Sequence, residues 1–219
     1  MYVHKHTTEL SAADCRDLKN ACTHARELRQ PLNTLVTFAP YPGSKPTPTA
    51  RAKDLNRLRT YLNTWMRRHH RASLTALHVW HSKPTGQSPH VHVLMHCPSR
   101  LRRALEQALV PLYPAGVIDV REGGDIRRPH PSGFFGSTLD YMMRFKSQQA
   151  FVADGGRAWR ASVKQTVIDA KTGRTRTINR GIKSPITGKR WGCTRNISPR
   201  TIGLYLEAKS AARAQAKAA

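Results

Sequence analysis

The stretch PHVHVLMH, residues 89–96, places His90, His92 and His96 at even positions of a short apolar run. Alternate residues of a β-strand share a face, with same-face neighbours roughly 6–7 Å apart at the backbone. Imidazoles so placed can converge on one ion, and a divalent metal is the simplest chemistry for His90 and His92. His96 stands about 13 Å beyond His92 along the strand and is expected to stay outside that site. The bland alternative is a set of ordinary half-exposed histidines in a chain that has 11 of them. A third ligand should come from the neighbouring strand. His81 ends the run SLTALHVWH (73–81), across a hairpin from His90. His81 also reads as a loop histidine that touches nothing. His78 and Trp80 have the opposite parity, which puts Trp80 under the helices.

The 219 residues carry 37 Lys plus Arg against 13 Asp plus Glu, a formal charge of +24. Such an excess repels itself unless a polyanion relieves it, so nucleic acid is the first candidate partner and an anionic membrane surface the second. No apolar run approaches membrane-spanning length, and MYVHKHTTEL lacks the apolar core of a signal peptide. A cytoplasmic nucleic-acid binder, with no membrane partner, is the expectation. Cys15, Cys22, Cys97 and Cys193 form no C-x-x-C pair and read as reduced thiols with no special role.

A metal in a polyanion binder points to phosphoryl transfer, in which the ion polarises the scissile phosphate. The nucleophile is then water or a side-chain hydroxyl. Tyr141, in LDYMMRFKSQ, shares a helical face with Arg144 and Phe145, with Lys146 near by. A cation beside a phenol can orient a phosphate. Taken alone, Tyr141 reads equally as one core residue of an amphipathic helix.

The elements that must position these groups follow from periodicity and punctuation. Ser11 caps a helix that stops at Pro31, and LNTLVTFAP is a strand ending at Pro40. Leu55, Leu58, Leu62, Trp65 and Met66 fall at helical spacing over residues 49–70, on a helix with a basic outer face. Two strands then flank the loop SKPTGQSP. A helix capped by Ser99 carries Leu101, Leu105 and Leu109, GVIDVRE is a strand, and STLDYMMRFKSQQAF is a helix. From residue 32 the order predicts an α+β fold, a ferredoxin-like split βαβ palm. Its antiparallel sheet would have helices on one face, the other face open, and the histidine strand at its centre. The expected division is an N-terminal helix (1–31), a central domain (32–150) and a basic C-terminal extension (151–219). TVIDAKTGRTRTI reads as a hairpin turning at Thr172-Gly173, and the Ala-rich end as helical or frayed.

PHVHVLMH followed by a helix bearing YMMRFK resembles the HUH endonuclease superfamily, named for its His-hydrophobic-His motif. The closest likeness is to the single-tyrosine replication initiators of rolling-circle plasmids and phages, or related single-tyrosine transposases. It covers about residues 32–150, which it makes the nuclease domain, with LNTLVTFAP similar to the family's first-strand motif and DYMMRFK to its tyrosine motif. The resemblance implies Mg²⁺ or Mn²⁺ and strand-specific nicking of single-stranded DNA through a 5′-phosphotyrosine, at a replication origin or element end. It implies His90 and His92 as ligands and Tyr141 as nucleophile. The family often has an acidic third ligand on the preceding strand, where His81 stands here. It commonly has lysine three residues after the tyrosine, where this chain has Arg144, with Lys146 two beyond. The sequence has no G-x-x-x-x-G-K-[ST] phosphate loop, so a host helicase would have to unwind the duplex.

Residues 151–219 hold 15 Lys plus Arg and three acids. In GIKSPITGKRWGCTRNISPRTI (181–202), Lys183, Lys189, Arg190, Arg195 and Arg200 with Trp191 suit a single-stranded nucleic acid, by backbone-tracking cations and one stacking ring. A solvated basic tail anchored by Trp191 is the alternative. RLRTYLNTWMRRHHR (57–71) is either a phosphate-facing helix or a charged outer face. Two rival functions remain at this point: a basic module that binds DNA or RNA without cutting, and a metal nuclease that uses water.

Overall fold

A computed structural model describes residues 6–7, 9–83, 86–112, 117–123, 137–144, 164–168, 175–179, 186–187 and 190–218. The strands are β1 His6–Thr7, β2 Thr34–Ala39, β3 Ala76–His81, β4 His90–Met95, β5 Val117–Glu122, β6 Lys164–Ile168, β7 Thr175–Asn179, β8 Ile186–Thr187 and β9 Trp191–Cys193. The helices are α1 Ala12–Glu27, α2 Pro48–His70, α3 Arg102–Leu109, α4 Thr138–Met142 and α5 Pro199–Ala218. No described helix is long and apolar enough to cross a membrane.

The fold is α+β, built on a five-stranded antiparallel sheet in the order β5-β2-β4-β3-β9. β4, the histidine strand, is the middle strand, and β2 and β3 run parallel to each other on either side of it. β6 pairs with β7, and β1 with β8, as separate two-stranded ladders. The β6–β7 pairing matches the expected hairpin, whose turn lies outside the described residues.

Strand parity sorts the core. Val36, Phe38, Val91, Val93, Met95 and Trp80 face α2 and α3, meeting Leu58, Leu62, Met66, Leu105 and Leu109. Each such buried aliphatic side chain is worth roughly 1.5–3 kcal/mol relative to exposure. Thr47 caps α2 by accepting from the Ala50 amide, with Pro48 in the first turn where its missing N–H costs nothing.

The opposite face, expected open, is largely covered. Leu35, Leu77, Val79 and Leu94 pack there against Cys15, Leu18, Cys22 and Ala25 of α1, Leu139 and Met142 of α4, and Ile202 of α5. The reason is physical: α1 has an apolar stripe at helical spacing that needs a partner surface, and the second sheet face supplies it. The division at residues 31/32 and 150/151 therefore does not divide the core, because α1, β9 and Ile202 all build on the same sheet. Cys15, Cys22 and Cys97 are buried, and no disulfide joins the four cysteines. They serve as small apolar side chains. Gly192 of β9 lies against His78, where a Cβ would fall 2.7 Å from the imidazole Cε1, so a larger residue there would have to push the ring aside.

Candidate active site

The β3–β4 register pairs His81 directly with His90 and Val79 with His92. His81, His90 and His92 therefore point to one side of the sheet, and one ring nitrogen of each lies within 4.8 Å of the others. Ring centroids are 4.7 Å apart for His81–His92, 5.0 Å for His90–His92 and 5.6 Å for His81–His90. The hairpin pairing expected between His81 and His90 is thus present. His78 and Trp80 lie on the other face, as their parity requires.

Each imidazole is tied by its other nitrogen. His81 Nε2 lies 2.7 Å from the Met142 carbonyl, His92 Nδ1 3.0 Å from Thr37 Oγ1, and His90 Nδ1 3.3 Å from the Ser88 carbonyl. A metal-ligating histidine usually donates its second N–H in this way, which fixes both ring orientation and tautomer. His81 Nδ1 and His92 Nε2 are buried and make no hydrogen bond among the described residues. To share one ion at about 2.1 Å, the three nitrogens would have to draw closer together than 4.8 Å. The triad can hold a metal ion. Burial, then the neighbouring His92, Arg144 and His90, holds His81 well below the ordinary histidine range. Burial also lowers His90, against the Ser88 hydrogen bond and with Arg144. Both rings are thereby kept in the neutral form that a metal needs.

α4 brings the phenol to this cluster. Ser137 caps the helix by accepting from the Asp140 amide, and buried Leu139 and Met142 dock it on the second face. The Tyr141 ring sits 5.1 Å from His92 and 6.4 Å from His81, centroid to centroid. Arg144 stacks its guanidinium over the phenol, Cζ 4.5 Å from the ring centroid. The helix expected at 137–151 stops at Met142, with Met143 as its C-cap and Arg144 in the turn that follows, and Lys146 lies outside the described residues.

His96 stands apart, its Nδ1 3.0 Å from the Pro31 carbonyl and its ring 5.5 Å from His70. Sequence reasoning does not single out Thr37, although its parity on the first strand places it on the histidine face. Asp119 and Arg121 also share that face on β5, paired with Thr37 and Leu35, and are joined to each other at 2.6 Å.

Of the cations and ring expected to bind DNA, Lys183 and Lys189 lie outside the described residues. Arg195 and Arg200 are exposed. Arg190 is 3% exposed and donates to the Trp80 carbonyl, so it ties the sheet edge together and is not presented to solvent. Burial pushes its guanidinium down to about 10. Trp191 is half-buried, its Nε1 donating to Asp14 Oδ1 at 2.6 Å. That bond anchors the ring to α1.

Comparison with known protein families, curated proteins and solved structures finds no match. The functional reading rests on the geometry of the site.

Proposed function

We propose that the chain is a metal-dependent, single-tyrosine DNA nicking and joining enzyme of the HUH type, on a ferredoxin-like palm. The observation that carries this reading is the seating of Tyr141 and Arg144 against the His81–His90–His92 cluster. A phenol, a guanidinium and three imidazoles brought together suit phosphodiester chemistry. The strand order, with β2 and β3 flanking β4, supports the ferredoxin-like palm. A charge of +24 supports a nucleic-acid substrate.

In this reaction the Tyr141 oxygen attacks the scissile phosphorus and the bond from phosphorus to the 3′ oxygen breaks. The phosphoryl group stays on tyrosine as the 5′-phosphotyrosine, and the proton lost from the phenol is balanced by the one gained by the 3′-hydroxyl. The reverse attack rejoins the strand, so one phosphodiester exchanges for another without ATP. Arg144, over the ring, would hold a phosphate oxygen in a fork of N–H donors. Thr37, Ser88 and the Met142 carbonyl hold the imidazoles in orientation. A divalent ion on the triad would supply Lewis-acid polarisation of the phosphate. Three imidazoles without a carboxylate match Mn²⁺ or a later transition ion better than Mg²⁺, which prefers oxygen ligands.

The test is incubation with labelled single-stranded DNA and Mn²⁺. A denaturation-resistant protein–DNA species is expected. Cut DNA with no attached protein would instead mean a water-using nuclease, and salt-sensitive binding without cutting would mean a binding module.

A further inference from the structure

A trough runs between α2 and residues 191–201, on the sheet face that carries Trp80 and His78 and opposite the triad. It consists of two cavities of about 670 and 950 Å³ that share Asn56 and Arg59 in their walls. Arg51, Arg59 and His78 line the first, and Arg59, Arg67 and Arg195 the second. Neither has an Asp or Glu among its lining residues. From Arg51 to Arg67 the helix advances about 24 Å at 1.5 Å per residue, so the cations are strung along the trough and not gathered at one point. Asn56, Thr60 and Asn63 add neutral hydrogen-bonding groups between them. Arg51 is itself held in place by stacking over Trp80, Cζ 5.6 Å from the ring.

A row of guanidinium groups in an acid-free concavity matches a polyanionic chain. Duplex DNA is read by an element that projects into its groove, whereas a concave cationic track takes a single strand. We propose that this trough is a second nucleic-acid track, which grips single-stranded DNA by its phosphates on the side of the sheet away from the tyrosine. The choice of DNA as the polyanion rests on the function proposed above; the trough's charge pattern does not.

The test therefore uses neither nicking nor metal. Anisotropy of a dye-labelled single strand is measured with Tyr141→Phe protein in EDTA across a salt series. Against it stand the same protein carrying R59Q, R67Q and R195Q, and a control carrying R100Q, R103Q and R213Q. The control removes the same charge from exposed positions outside the trough. Arg59 is half-buried and Arg67 and Arg195 are exposed, while buried Arg51 is left untouched, so melting temperatures should stay near the parent's. Each phosphate that is no longer neutralised lowers the log–log salt slope by about 0.7 on a single strand. The trough variant should therefore show a slope smaller by about 2 and an affinity at least about tenfold weaker. The control should change much less, and unlabelled duplex should compete poorly. The proposal fails if the control weakens as much as the trough variant, if the trough variant keeps the parent slope, or if duplex competes as well as single strand. Failure of the nicking reading would appear as a missing adduct with wild-type protein and would leave these measurements unchanged.

Discussion

Thr37 Oγ1 lies 3.0 Å from His92 Nδ1, across directly paired positions of β2 and β4. If His92 held an ion through Nε2, which makes no hydrogen bond among the described residues, Nδ1 would carry the proton and donate to the Thr37 hydroxyl. Thr37→Val keeps the shape and removes the acceptor. We expect about a tenfold loss of Mn²⁺ affinity by calorimetry, with Thr37→Ser close to wild type. Equal affinity for Val and Ser variants would remove this hydroxyl from the site.

Metal binding should also stabilise the fold. At about 100 times the dissociation constant, an ion that binds only the native state adds about 2.7 kcal/mol. For a chain of this size that is roughly a 5–10 °C rise in melting temperature. Mn²⁺, Co²⁺ and Zn²⁺ should give the rise at lower concentration than Mg²⁺. His90→Ala, at a half-exposed position that a truncation should tolerate, should abolish it. An undiminished rise in that variant would place the ion elsewhere.

Arg144 stacks on the phenol without belonging to the histidine cluster. Arg144→Gln removes a cation that acts on His81 and His90, so Mn²⁺ affinity should hold or rise slightly, while adduct formation slows by about 10²-fold, the usual cost of losing one preorganised donor to developing charge. A parallel loss of metal affinity would mean that the arginine acts by holding the site together.

Asp14 links two distant parts of the chain. It closes the capping box of α1 with Ser11 and accepts from Trp191 Nε1 on β9. Asp14→Ala should cost about 1–2 kcal/mol in denaturant titration. Burial pushes the Asp14 carboxyl up, but the Trp191 and Ser11 hydrogen bonds and the nearby Arg190 bring it below its ordinary 3.8. A carboxyl lowered in the folded state contributes stability above its unfolded value and loses it as pH falls through the folded one. The gap between wild type and Asp14→Ala should therefore narrow below about pH 4. A gap that widens there would contradict the hydrogen-bonding account.

Much of the site is legible in the sequence because strand parity is a strict rule. Once His90 and His92 share a face, the hairpin register brings His81 to them, and Trp80 must go under α2. The covered second face is not legible, since it depends on where α1 docks, and a helix stripe does not name its partner surface. β9 has three residues and no periodicity to betray it. Arg190 reads as a solvent cation because charge counts cannot see that its backbone joins a sheet edge and draws the side chain inward. The Tyr141 helix is visible, but its seat beside His92 depends on Leu139, Met142 and the His81 hydrogen bond, all of them interactions between residues far apart in the chain.

The central claim is that the Tyr141 oxygen becomes the attachment point of a 5′ phosphate. It is tested most directly by incubating wild-type and Tyr141→Phe protein with labelled single-stranded DNA and Mn²⁺, digesting the denatured adduct with protease, and reading the modified peptide by mass spectrometry. The expected result is a phosphodiester-linked nucleotide on the peptide that contains Tyr141, and no adduct from Tyr141→Phe although it still binds the DNA. An adduct that persists at the same yield in Tyr141→Phe, or maps to another residue, would contradict it.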